Sequence, residues 1–164
     1  MTGVQTCALP ILLPGVIDSQ VHFREPGLTH KEDLETGSRA AVLGGVTAVF
    51  EMPNTNPLTT DAATLADKVS RGLHRMHCDF AFWVGGTHEN AKDAPELERL
   101  PGAAGIKVFM GSSTGSLLVE DDPGVAAILE RTRRRAAFHA EDEYRLEERK
   151  GIRVKGDPRS HPVW

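Results

Sequence analysis

The chain has only two cysteines, no long apolar run and no glycine-rich phosphate loop, and each lack removes a class of protein. Cys7 and Cys78, alone among 164 residues, are too few for a disulfide framework and form no CxxC metal pattern. Cys78 opens an apolar run and reads as a small buried residue; the usage fits a reducing, cytoplasmic setting. No apolar stretch nears the ~20 residues that a membrane helix needs. The formal net charge is -4, which leaves no excess of basic groups for a nucleic-acid partner. Arg131, Arg133, Arg134 and Arg135 form one basic cluster, offset by nearby acids and read as a solvated helix end. No Gly-x-Gly-x-x-Gly follows the first strand-like run, and no phosphate loop supports an open-sheet nucleotide binder. What is present, 40% hydrophobic and 26% charged residues, suits a soluble globular domain rather than a disordered chain.

Met1 to Ile11 lacks periodicity and a basic start, so it makes a poor signal peptide. It resembles the translation of a sequencing-library adapter. The expectation is that residues 1–11 are non-native, that Cys7 has no biological meaning, and that residues 12–164 are part of one barrel domain.

From Leu12 onward, strand-like and helix-like stretches alternate. Gly15 to Ile17 is apolar and runs into Asp18-Ser-Gln-Val-His22. Helices are predicted over Lys31–Leu43, from Thr60 with Asp61 near the start, over Asn90–Leu100 interrupted by Pro95, over Asp121–Arg134 with Pro123 in the first turn, and over Asp142–Lys150. Strands are predicted over Gly45–Met52, Cys78–Gly86, Ala103–Met110 and Ala136–His139. These make five strand-then-helix units without sequence repeat, each the size of a βαβ repeat. Strands that are apolar throughout imply a parallel sheet covered on its outer side. A doubly wound sheet and an incomplete (β/α)8 barrel both fit. Every strand end carries polar residues: His22 and Arg24, Asn54, Thr87 and His88, Ser112 and Ser113, His139 and Glu141. A contribution from every strand favours the α/β, TIM-type barrel, about its first five units.

Several of these residues have both a chemical and a plain reading. Positions 20 and 22, two apart on a strand, face one side together. His22 there is a candidate metal ligand or an ordinary strand terminus, and Gln20 offers only a neutral amide oxygen. Lys107 lies inside Gly105-Ile-Lys-Val-Phe-Met110. It either snorkels to solvent or is a buried amine that has reacted with carbon dioxide to form an anionic carbamate, a ligand able to bridge two cations. His139 is a structural residue or a ligand. Asp142 is expected to cap the following helix, and Glu141 to cap it or to partner His139. Arg24 and Asn54 either hold a substrate carboxylate, or pair with Glu25 or Glu32 and make a turn before Pro57.

In combination the phrases Pro14-Gly-Val-Ile-Asp18, Val21-His-Phe-Arg-Glu-Pro-Gly27, His30-Lys-Glu-Asp33, Gly44-Gly-Val-Thr47, Met52-Pro-Asn-Thr55, Gly105-Ile-Lys-Val-Phe-Met110 and Phe138-His-Ala-Glu141 resemble the dihydroorotase branch of the amidohydrolase superfamily. Hydantoinases and allantoinases share the lysine strand. The resemblance implies a (β/α)8 barrel and the reversible interconversion of N-carbamoyl-L-aspartate and L-dihydroorotate in pyrimidine synthesis. It implies that His22, carbamylated Lys107 and His139 hold two zinc ions, and that Arg24 and Asn54 hold the substrate carboxylate. Zinc in such a site lowers the pKa of water towards ~7 and polarises the amide carbonyl. Where the family has a histidine this chain has Gln20, which puts one metal position in question. The family also takes a histidine from the sixth strand and a proton-shuttling aspartate from the eighth. Both are expected downstream, with no general acid or base within the chain, and the isolated polypeptide is expected to be inactive. A homo-oligomer, or a complex with aspartate transcarbamoylase, is the partner expectation. The alternative is a non-catalytic scaffold subunit for that transcarbamoylase.

Overall fold

The computed structural model describes residues 12–111 and 115–162. The adapter-like residues 1–11 and the strand-end pair Ser112 and Ser113 lie outside them. Five strands, β1 (Val16–Val21), β2 (Val46–Glu51), β3 (Asp79–Gly85), β4 (Ala103–Phe109) and β5 (Ala136–His139), form one sheet in the order β1-β2-β3-β4-β5. All four pairings are parallel. Helices α1 (Leu34–Leu43), α2 (Ala62–Gly72), α3 (Ala94–Leu97), α4 (Asp122–Leu129) and α5 (Glu143–Arg149) follow the strands in turn. No helix of the described residues is long and apolar enough to cross a membrane.

The sheet has two apolar faces, as strands covered on both sides must. Val49, Phe82, Val84, Ile106 and Val108 pack against the helices with Leu34, Leu65 and Ile128. Residues of the opposite pleat form a second cluster of Met52, Trp83, Phe109 and Leu117, with Phe50 and Ala81 against it. This second face is concave. Trp83 Nε1 on β3 donates to the Ser19 carbonyl on β1 at 2.9 Å. In a flat sheet, strands two apart lie roughly 9–10 Å from one another, too far for an upright side chain to bridge. Only curling of the sheet toward that side brings the two together. Five parallel strands thus make a curled half-barrel with helices outside.

The local reasons are conventional ones. Asp33, Asp61, Asp121 and Asp142 each accept a backbone N–H in the first turn of α1, α2, α4 and α5, satisfying donors the helix cannot. At α2, Thr64 reciprocates to complete a capping box. Asp142 is therefore the cap expected of it, while Glu141 partners His139.

Five expectations shift. Helix α1 begins at Leu34, not Lys31, because Lys31 closes a turn onto the Leu28 carbonyl and Asp33 caps the helix two residues later. The Asn90–Leu100 stretch is one 3-10 turn and a four-residue helix split near Pro95. Helix α4 stops at Leu129, not Arg134, because the buried Glu98 carboxylate accepts the Arg133 and Arg134 backbone N–H groups. The arginine cluster is thus the α4–β5 loop rather than a helix end. Cys78 is half-buried, not buried.

Candidate active site

The carboxyl ends of the strands converge on one rim, and the segments after β1 and β2 build most of it. Immediately past β1 comes His22, then Arg24 at φ +66°. A non-glycine residue holds this left-handed conformation only when its surroundings fix it. They do so here: the Arg24 N–H donates to Glu51 Oε1 at 3.2 Å, and its carbonyl accepts from Leu28 N at 3.0 Å. Neither Glu25 nor Glu32 pairs with the Arg24 guanidinium. Glu25 is taken by Arg75, with bonds of 2.8 and 3.2 Å, and by the N–H of Leu34. Glu32 bonds to Asp33 N and Thr36. Among the described residues the Arg24 guanidinium has no ion-pair or hydrogen-bond partner.

Asn54 follows β2. Its side chain approaches the His22 ring closely enough to favour the protonated imidazole, yet its buried Oδ1 has no hydrogen-bond partner of acceptable geometry. Burial is the main influence on His22 and lowers its pKa, and the charges of Arg24, Lys107 and Lys68 push the same way. The neutral ring that results keeps a lone pair for a cation. Gln20, exposed on the irregular end of β1, has its N–H on Asp18.

Lys107 resolves in favour of burial: it is 2% exposed and does not snorkel. Its Nζ sits 5.0 Å from the centre of the Phe109 ring and has no hydrogen bond or ion pair among the described residues. Desolvation lowers its pKa. His139 stacks at 5.9 Å on that same Phe109 ring, its register partner on β4. Its Nε2 lies 2.7 Å from Glu141 Oε2. His22, Arg24, Asn54 and Lys107 therefore share one electrostatic neighbourhood, and Lys107 and His139 both contact the Phe109 ring. Among the described residues no three His, Cys, Asp or Glu side chains gather as a ready cage.

His88 and Thr87, the other strand-end candidates, are spoken for. His88 Nε2 contacts Asp121 at 2.5 Å. Thr87 exchanges bonds with Asn90, whose amide also ties down Thr60 and Gly85.

The dihydro-orotase-like family model matches residues 10–71, the stretch that contains β1, β2 and, of the rim, His22, Arg24 and Asn54. A dihydroorotase of Methanosarcina mazei is 41% identical over 135 residues, covering 81% of this chain and 29% of its own length. The chain belongs to the dihydroorotase-like amidohydrolases. An allantoinase of Arabidopsis thaliana is 35% identical over 162 residues, 92% of this chain and 31% of its own. Among solved structures, an L-hydantoinase from Arthrobacter aurescens superposes with a TM-score of 0.77 at 28% identity, over 88% of this chain and 33% of that one. The chain thus spans about a third of the length of these relatives. The half-barrel is the arc that this chain shares with the hydantoinase.

Reading residue by residue missed one pair at the rim. Glu51 and Lys68 are each 1% exposed and form an ion pair. The signal was present: a glutamate in an otherwise apolar strand, and a lysine on the Leu65–Gly72 face of α2. Opposite charges at two core positions must find one another or stay unformed.

Proposed function

We propose that this chain supplies the carboxylate clamp and the lysine–histidine metal position of a dihydroorotase. The observation that carries the reading is the set of unengaged polar groups on one rim: the Arg24 guanidinium, Asn54 Oδ1 and the Lys107 amine. A buried polar atom without a partner is costly, and such groups gather where a ligand completes them. Of the ring amides opened by dihydroorotases, allantoinases and hydantoinases, dihydroorotate carries a carboxylate, the group a free guanidinium suits best.

The residues fit a divalent metal such as zinc. His22 is held towards its neutral form. Lys107, with its pKa lowered by burial, holds a larger unprotonated fraction. That amine adds to carbon dioxide and releases a proton, giving the anionic carbamate. His139 would join it from β5, its ring oriented by Glu141, as carboxylates commonly orient ligating histidines. A divalent metal held by His22, Lys107 and His139 would supply a nucleophilic water near neutral pH and polarise the ring carbonyl. Arg24 and Asn54 hold the far carboxylate, so that the scissile amide is presented in one pose.

The test is turnover by the protein that carries this chain, with dihydroorotate, N-carbamoyl-L-aspartate, allantoin and hydantoin, alongside zinc content. Preference for the first two, with KM raised and zinc retained in Arg24→Ala, is expected. Preference for allantoin or hydantoin reassigns the substrate. Gln20 favours one other reading, a non-catalytic scaffold for aspartate transcarbamoylase. Absence of both zinc and turnover supports that scaffold.

A further inference from the structure

Buried charges on the convex side of the sheet have no place in the proposed chemistry, yet they touch both segments that carry the clamp. Glu51 ends β2 and Lys68 lies in the middle of α2. Glu51 Oε2 pairs with Lys68 Nζ, both side chains being 1% exposed. Every hydrogen bond that the structure gives these two side chains goes to backbone of the clamp segments. Glu51 Oε1 accepts the N–H of Arg24 at 3.2 Å. Lys68 Nζ donates to the Met52 carbonyl at 3.0 Å, two residues before Asn54. The Met52 N–H donates in turn to the Val21 carbonyl at 3.0 Å, which locks the end of β2 to the end of β1.

Stability alone gives little reason for this arrangement. Two well-packed apolar residues of similar volume hold such a place as well as a buried ion pair does, or better. What an apolar pair does not provide is an acceptor for the Arg24 amide, one of the two bonds that hold Arg24 at φ +66°. We infer that the Glu51–Lys68 pair is the positioning device for the substrate-carboxylate clamp, fixing the Arg24 backbone and the Met52 end of the segment that carries Asn54 from beneath the rim. The inference rests on the clamp reading given above. Neither residue touches substrate: Glu51 acts through the backbone of Arg24, and Lys68 through Met52, two residues before Asn54.

A double-mutant cycle in the zinc-loaded protein that carries this chain tests it. Glu51→Met/Lys68→Met removes both charges and keeps the volume. Its KM for dihydroorotate is expected to rise about tenfold with kcat within about threefold, the signature of lost binding rather than lost chemistry. Zinc content and melting temperature stay near those of the unchanged protein. Combined with Arg24→Ala, it adds little to the KM already lost, because coupled residues are non-additive. Glu51→Gln/Lys68→Met, which keeps an acceptor for the Arg24 N–H, recovers about threefold or more of the lost KM if that bond is what positions the guanidinium.

An unchanged KM in Glu51→Met/Lys68→Met, beside a raised KM in Arg24→Ala, overturns the positioning role alone. So do fully additive losses. An unchanged KM in Arg24→Ala overturns the clamp reading, and the positioning role with it. Loss of folding in both Glu51→Met/Lys68→Met and Glu51→Leu/Lys68→Leu assigns the pair to stability and also overturns the proposal.

Discussion

Glu25 adjoins a guanidinium assigned to substrate, and it belongs to the scaffold. Its carboxylate accepts the first N–H of α1 and a two-armed bond from Arg75 beyond α2. Burial alone would raise its pKa; the Arg75 and Leu34 bonds outweigh burial and hold it below the usual carboxylate value of 4.5. A depressed carboxylate pKa adds stability above the unfolded value, and that stability disappears as pH falls through the folded one. Glu25→Gln is expected to lower stability by about 1.5–3 kcal/mol near pH 7. The gap to the unchanged protein should close as pH drops below about 4.5; urea melts across pH 3–7 measure it. Lys107 should behave in the opposite sense. In metal-free protein its buried, unpartnered amine opposes folding, so Lys107→Met should stabilise by ~1 kcal/mol or more while removing metal binding. Such a trade of stability for function marks a residue retained for chemistry.

At the scale of elements, the ion pair beneath β2 and the glycine in β4 decide most. Removing one member of a buried pair leaves the other charged and alone. Lys68→Met is therefore expected to cost about 3–5 kcal/mol, and adding Glu51→Met should return most of it. Gly105 has φ +148°, and a Cβ there would lie 2.5 Å from the Arg135 carbonyl and 2.9 Å from Trp83. Gly105→Ala should cost about 1–3 kcal/mol through overpacking and strain, read as an earlier denaturation midpoint. These elements also show what the sequence could reveal. The apolar runs of β3, β4 and β5 and the Asp142 cap were plain, because a buried parallel strand and an N-cap are local properties. The end of α4 was not. Its last turn loses to the Glu98 carboxylate, which sits 35 residues away in sequence from Arg133, and no window along the helix contains that competitor. Lys107 was ambiguous for a similar reason. Periodicity places a lysine in a strand, but only the packed sheet shows which side it faces. Arg24 and Glu25 look like natural partners in sequence; the positive φ of Arg24 and the reach of Arg75 separate them.

At the scale of the whole molecule, the described residues leave β1 and β5 as open edges. Apolar side chains stand exposed beside the first edge: Leu12 at 96%, Leu13 at 81% and Ile17 at 60%. Open parallel edges with apolar flanks template further pairing. The isolated 164-residue chain is expected to associate rather than to melt as a cooperative monomer. Light scattering during a thermal ramp tests this; a reversible, concentration-independent transition would count against it. The bond from Trp83 to Ser19 lends the arc its own optical gauge. An indole sheltered in the concavity and tethered to the first strand emits at shorter wavelength than one in water. Should that strand peel away before the remainder unfolds, fluorescence from position 83 would redden while the circular-dichroism signal of the helices held steady, timing the opening of the crescent separately from its collapse.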